Sequence, residues 1–242
     1  MAKVVLIIQA RMGSIRLPGK SMMDLSGKPL IGHILERVKR VTKVDQIVLA
    51  TSTNVNNDSI ENLAAEYEIE CFRGSEDDLL KRYFDAALKY NASTVLRLPA
   101  DNVCPEPFAY DSLIEYHIKS KNDFSSNICG FLGEKWPDGI GVEAIKFEAL
   151  KHAHEHNHLP DQREHVALNF YDYINDCVPP GSIYKVGTIP CPDEIARPDI
   201  CLDVNTMEDF VLMRSLYQSL YPINPEFSIR EIIKWFDKRR SE

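Results

Sequence analysis

Directly after the apolar run Val4-Val5-Leu6-Ile7-Ile8, the chain from Gln9 to Lys20 reads QARMGSIRLPGK. Three cations (Arg11, Arg16, Lys20) and two glycines (Gly13, Gly19) thus leave the end of one buried strand together. Such a loop suits a polyphosphate. Small residues let backbone N–H groups approach the oxygens, and fixed cations offset their charge. A basic surface loop that merely contains glycine would not explain why all these features coincide. Two common phosphate motifs are excluded by spacing. A P-loop has four residues between its first glycine and Gly-Lys, whereas Gly13 and Gly19-Lys20 enclose five. Pro18 also removes a backbone donor. No G-x-G-x-x-G follows the strand, so the dinucleotide fingerprint is absent.

Further chemistry-bearing residues recur after other strand-like runs: Ser52 in Thr51-Ser52-Thr53, Asp101 just beyond Leu98, and Asp203 in a late apolar segment. Placing them together requires an alternating fold. Strands are predicted at Lys3–Ile8, Gln46–Ala50, Ile69–Phe72 and Thr94–Leu98. Helices are predicted at Ile31–Val41, Asp58–Tyr67 (capped by Asp58 or Ser59), Asp78–Tyr90 and Pro107–Ile118. This alternation implies an α/β fold with a mostly parallel sheet and right-handed crossovers.

Beyond Asn122 the pattern shifts to short strands, at Phe124–Asn127, Gly139–Phe147 and Tyr184–Thr188, with mixed pairing. Helices follow at Phe147–His156 and Gln162–Tyr173. A last core strand is expected at Ile200–Val204, then helices Met207–Tyr217 and Ser228–Lys238, capped by Thr206 and Ser228. The whole reads as one domain, residues 1–242, with an inserted lobe at about 127–180. Ligands of open parallel sheets bind beyond the carboxyl ends of the strands. Arg11, Lys20, Ser52, Asp101 and Asp203 are therefore expected to converge there. Two carboxylates facing a cationic loop make sense around Mg²⁺, which takes one or two carboxylates plus phosphate oxygens and water.

Composition narrows the function classes. The 242 residues are 44% apolar and 26% charged, with a net charge of −8. That charge argues against general nucleic-acid binding; Lys238, Arg239 and Arg240 suit a helix C-terminus instead. No apolar run reaches membrane-span length, and the start lacks a signal-peptide pattern. A cytoplasmic protein with free thiols is expected, since the six cysteines are scattered without C-x-x-C pairs. His152, His154, His156 and His158 alternate, which spreads them around a helix instead of onto one metal.

The segments IIQARMGSIRLPGK, LSGKPLIGHILERV, IVLATSTNVNND, FRGSEDDLLKRY, RLPADN, WPDGIGVE, REHV and LDVNTMEDF together resemble the sugar cytidylyltransferases. The likeness is to the spore-coat polysaccharide branch over nearly the full length, and to acylneuraminate and 3-deoxy-octulosonate enzymes over the N-terminal two thirds. The resemblance implies a Rossmann-like nucleotide-diphospho-sugar-transferase fold, CTP as donor, Mg²⁺ dependence and a homodimer.

Carried over by position, it assigns Arg11, Arg16 and Lys20, with the backbone of Gly13 and Ser14, to the triphosphate. Ser52, Arg73, Gly74 and Ser75 would line the cytidine site. Asp101 and Asp203 would hold the metal. Trp136, Asp138, Glu143, Arg163, Glu164 and His165 would line the site of a small acceptor, a sugar acid first. Arg82 is read evenly as a nucleotide contact or a surface ion pair near Asp78.

The chain departs from the family pattern in two places. Ala100-Asp101-Asn102-Val103 stands where Gly-Asp-Cys-Pro is usual, and Gly141 replaces a second Asp after Pro-Asp-Gly. The acceptor is therefore open between a sugar acid and a phosphorylated polyol or phosphonate. A glycosyltransferase using a nucleotide sugar and a catalytically silent nucleotide-binding protein are the competing classes.

Overall fold

In the computed structural model, which describes residues 3–14, 16–133 and 135–241, the opening apolar run is the buried strand Val4–Gln9 (β1). It pairs in parallel with Gln46–Ser52 (β2) and Thr94–Pro99 (β4). Glu70–Gly74 (β3) extends the sheet beside β2. Glu143–Lys146 (β6) then inserts antiparallel between β4 and Phe124–Ser126 (β5), and Val186–Gly187 (β7) closes the far edge parallel to β5. The order is β3-β2-β1-β4-β6-β5-β7. Among the described strands β6 alone is reversed in this mostly parallel α/β sheet.

Burial on both faces explains why β1 is continuously apolar. On one side, Leu6 and Ile8 join Leu30–Val38 (α1), Pro107–Ser120 (α4), Met207–Leu220 (α7) and Ile229–Ser241 (α8) in the larger apolar cluster. Asp58–Glu66 (α2) adds Ile60 and Leu63 to it. On the other side, Val5 and Ile7 meet Leu79–Lys89 (α3) and Phe147–His156 (α5). Asp78 caps α3 by accepting from the Lys81 N–H. Thr206 and Asp209 form a reciprocal capping box at α7.

Several expected elements differ. β2 continues through Thr51 and Ser52 because those residues pair with Arg73 and Gly74. The N-cap position of α2 is Asn57, not Asp58 or Ser59; Asp58 lies in the first turn and pairs with Arg73. The helix expected over 162–173 is instead Pro160–Glu164 (α6) and a short 3₁₀ turn, Val166–Asn169, broken at His165. The Asn169 amide donates to the carbonyls of Gln162 and Val166, the acceptors a continued helix would have used. The segment 200–204 buries Ile200, Leu202 and Val204 but is not a regular strand. It makes only single-residue bridges, Cys201 with Asp138 and Asp203 with Asn102. Residues 127–180 supply β6 and α5 as well as α6.

His117 is expected to make the far end of the sheet acid-sensitive. It is buried on α4, where its Nδ1 lies 2.9 Å from Ser125 Oγ, which also accepts from Asn122. Burial pushes its pKa down to about 4. The unfolded imidazole takes up its proton near pH 6.5, so the unfolded state binds more protons between those values. Stability is therefore complete above pH 6.5 and falls as pH drops towards 4. Between pH 7.5 and 5 the wild type should lose about 2 kcal/mol more than His117→Gln. Urea melts at the two pH values measure this; equal losses would assign the acid sensitivity elsewhere.

Candidate active site

The carboxyl ends of β1, β2 and β4 meet on one side of the sheet, and the loop after β1 folds over them. Lys20, at the end of that loop, donates to Asp101 Oδ2 at 3.1 Å and to the Val204 carbonyl at 2.8 Å. The Val204 N–H in turn reaches the Asp101 carbonyl at 3.0 Å. One lysine thus ties the loop after β1, the turn after β4 and the late 200–204 segment together. Arg16 reaches the same segment through Asn205 Oδ1 at 2.7 Å.

Asp203 faces crowded negative charge. Its Oδ1 is buried without a hydrogen-bond partner. Burial first, then the charges of Asp138 and Asp101, push its pKa up to about 8, against the opposing effect of Lys20. Gly139 makes this crowding possible. It has φ +81°, and a Cβ there would lie 2.6 Å from the Asp203 nitrogen and from the Leu202 carbonyl carbon. Only glycine fits both the left-handed turn and the close backbone approach.

A second group forms on the β2 side. Ser52 Oγ bonds Glu76 and accepts from Asn57 at 2.7 Å, while Asn57 Oδ1 accepts from the Met12 N–H at 2.8 Å. Gly13 lies against Glu76, 3.8 Å from where its Cβ would be. The buried Arg82 donates to the carbonyls of Ser75 and Glu76, so it shapes this loop from beneath and is not a surface ion pair. Burial holds its pKa below the ordinary value.

The structure therefore joins Lys20 to Asp101 directly and sets Asp203 within the field of both. Ser52 reaches the cationic loop through Asn57. Arg11 pairs instead with Glu164 of α6 at 3.5 Å. Arg73 does not reach into the cleft: Asp58, Glu61 and the carbonyls of Ser52 and Asn54 take up its guanidinium. It braces β2 to α2, because its strand position turns it towards that helix.

Among the expected acceptor-site residues, Trp136 is buried against Phe108 and gives its indole N–H to Ile189. It is a wall of the core. Asp138 sits with Asp203, and Glu143 pairs with Arg97 at 2.8 Å. Arg163 grips Asp78 through Nε and Nη2 and also contacts His154, while His165 is exposed near Tyr173. His152 and His156 do share one face of α5, with rings stacked 4.1 Å apart. His154 stacks elsewhere, on Phe84.

Sequence reasoning missed Glu76, Asn57 and Arg97. Glu76 follows Ser75 in an acidic run, Asn57 lies in an Asn-rich turn, and Arg97 is a charge inside an apolar strand. The last was the clearest available signal.

A cation-rich loop and apposed carboxylates at the carboxyl ends of a parallel sheet define an α/β nucleotidyltransferase. The chain belongs to the cytidylyltransferase family, whose model matches residues 5–178. It is 32% identical to an uncharacterised protein of Methanocaldococcus jannaschii over 98% of this chain and 91% of that one. The spore coat polysaccharide biosynthesis protein SpsF of Bacillus subtilis is 28% identical, with 96% and 93% covered. Among solved structures, a cytidylyltransferase from Leptospira borgpetersenii superposes with TM-score 0.87 at 27% identity, covering 100% of this chain and 96% of that one. A CMP:2-keto-3-deoxy-manno-octonic acid synthetase solved with CTP shares the fold, with TM-score 0.61 at 18% identity, covering 90% of this chain and 99% of that one. Among the described residues no helix is long and apolar enough to cross a membrane.

Proposed function

We propose that this enzyme transfers CMP from CTP to a sugar acid, releasing pyrophosphate, in the biosynthesis of a surface glycan. The observation that carries the reading is the junction at Lys20, where a cation held by Asp101 lies beside the unpartnered carboxylate oxygen of Asp203. The acceptor oxygen would bond to the α-phosphorus as the bond to the pyrophosphate oxygen breaks, with the acceptor's proton passing to solvent. Such transfers depend on positioning and charge neutralisation more than on covalent help from the protein. Lys20, Arg11 and Arg16 would hold the phosphates with the backbone of Gly13 and Ser14. Ser52, Gly74 and Ser75 would border the cytidine.

The donor set also suits a divalent cation. Asp203 has a buried, orphaned oxygen in a crowded acidic environment. Two acidic side chains facing a cationic loop suit Mg²⁺, which completes its shell with phosphate and water oxygens. Asp101 and Asp203 would hold it, and when bound it would neutralise the charge of the triphosphate. The reading includes a cytoplasmic homodimer, with acceptor recognition in residues 127–180.

A pyrophosphate-release screen crossing four nucleoside triphosphates with a panel of sugar acids, polyol phosphates and phosphonates tests this. Release with CTP and a sugar acid, giving a product heavier by one CMP unit, is expected. Turnover of a nucleotide sugar without pyrophosphate would establish a glycosyltransferase instead.

A further inference from the structure

At the carboxyl end of β1 and β4, on the sheet face covered by α3 and α5, the apolar pattern gives way to Gln9 and Arg97. Arg97 is directly opposite Ile7 of β1 on one side and Glu143 of β6 on the other. Gln9 lies two residues beyond Ile7, so all three side chains project from the same face. Gln9 is the last residue of β1 and Glu143 the first of β6, so the group stands at the end of the sheet that carries Asp101.

The group has a sealed side and an open one. On the sealed side, Arg97 Nη1 donates to Glu143 Oε1 at 2.8 Å, while Arg97 Nε, Glu143 Oε2 and Gln9 Oε1 have no contact with solvent. On the open side, Arg97 Nη2 and Gln9 Nε2 stay accessible, with no partner among the described residues. Burial opposes the charge on Arg97, but Glu143, Tyr83 and Asp101 outweigh it and hold the guanidinium above its ordinary pKa. A side chain from the 127–180 segment lies near the same group. Tyr173 is exposed and stands edge-on to His165 at 6.3 Å; burial raises its pKa, and the charges of Arg97 and Glu143 also reach its hydroxyl.

We propose that Arg97 and Gln9 hold the carboxylate of the acceptor, with Glu143 fixing the guanidinium from behind and Tyr173 bordering the sugar. This inference rests on the nucleotidyl-transfer reading and names the group by which the acceptor of that reading is recognised. The accessible atoms decide the chemistry. Arginine never accepts a hydrogen bond, so whatever meets Nη2 must accept. Glu143 offers a ligand nothing, because Oε2 is sealed and Oε1 is taken by Arg97. A hydroxyl placed there would leave its own proton without an unpaired acceptor in the patch. A carboxylate only accepts, its two oxygens match the two free donors, and a guanidinium kept charged makes the bond charge-assisted.

Removing one charge would strand the other, whereas an apolar pair of similar volume can replace a buried ion pair at little cost. The test therefore uses the double variant Arg97→Met/Glu143→Met and the single variant Gln9→Met. Calorimetric titrations measure CTP and sugar separately. The probes are 3-deoxy-manno-octulosonate and its 8-amino-3,8-dideoxy analogue, the acids in the names of related enzymes, each beside the derivative whose carboxylate is reduced to an alcohol. Wild type should bind the acids about tenfold to a hundredfold more tightly than the alcohols. The double variant should lose that preference through the acids alone, with the alcohols and CTP within about twofold of their wild-type affinity. Should the double variant fail to fold, Gln9→Met decides, with a loss of preference of about threefold or more. A merely structural role would weaken acid and alcohol alike and overturns the proposal. So does a preference that survives substitution, or a wild type that binds neither acid or favours the alcohols. Acid preference lost on substitution, in a protein that never binds CTP, would uphold the site and overturn the nucleotide reading. CTP binding and pyrophosphate release with the preference intact would do the reverse.

Discussion

Lys20→Ala is expected to lower CTP-dependent turnover by about 10² to 10³, the scale of losing one preorganised charge-stabilising donor. Lys20 has two roles that the substitution removes together. Its ammonium would offset phosphate charge, and it already spans Asp101 and the Val204 carbonyl, fixing the loop after β1 against the 200–204 segment. The second role predicts a signature beyond lost rate. Without the lysine, Asp101 and Asp203 face each other with less compensation, so nucleotide binding should weaken along with the chemical step. Lys20→Arg keeps the charge but replaces a compact point charge with a larger planar fork, and should recover binding better than turnover. Pyrophosphate release and CTP titration on folded variants separate these effects. Near-normal turnover of Lys20→Ala would remove the triphosphate from this loop.

The parts legible in the sequence were those whose information is local. β1 reads as five consecutive apolar residues because both of its faces are covered, and α5 was delimited at Phe147 and His156 because its apolar stripe ends there. The cationic loop was legible for the same reason: its cations and glycines are adjacent in the chain. The 162–173 segment failed because its apolar spacing suits a helix, while the Asn169 side chain takes the backbone acceptors. Apolar spacing cannot report that competition. Asp138 was assigned to the acceptor, yet the left-handed turn at Gly139 packs it beside Asp203, 65 positions away in the chain. Likewise, Arg97 acquires meaning only from Glu143, which strand order alone brings opposite it. Contacts made by β6 were the least legible, because a reversed strand inserted beside β4 breaks the alternation that located the others.

Asp203→Asn should separate stability from activity more sharply than any other change in the site. A carboxyl group whose Oδ1 is buried without a partner and which burial first, then Asp138 and Asp101, hold well above the carboxylate range contributes little to the fold and works against it through desolvation and like-charge crowding. The amide nearly preserves shape and removes that repulsion, so the melting temperature should stay level or rise by a few degrees. Catalytically the same change removes a group that would take up its negative charge when a cation or the triphosphate complex balances it. Turnover should fall by about 10² or more. Functional sites retain such arrangements at the expense of stability. Asp209→Ala is the structural comparison, because that carboxylate accepts from the Asn205 and Thr206 N–H groups in the capping box of α7; it should lower stability by about 1 kcal/mol and spare turnover. Thermal melts and pyrophosphate release on the two variants give opposite patterns if Asp203 is catalytic. A destabilised Asp203→Asn that turns over normally would make Asp203 a structural acid and leave Asp101 to act without it.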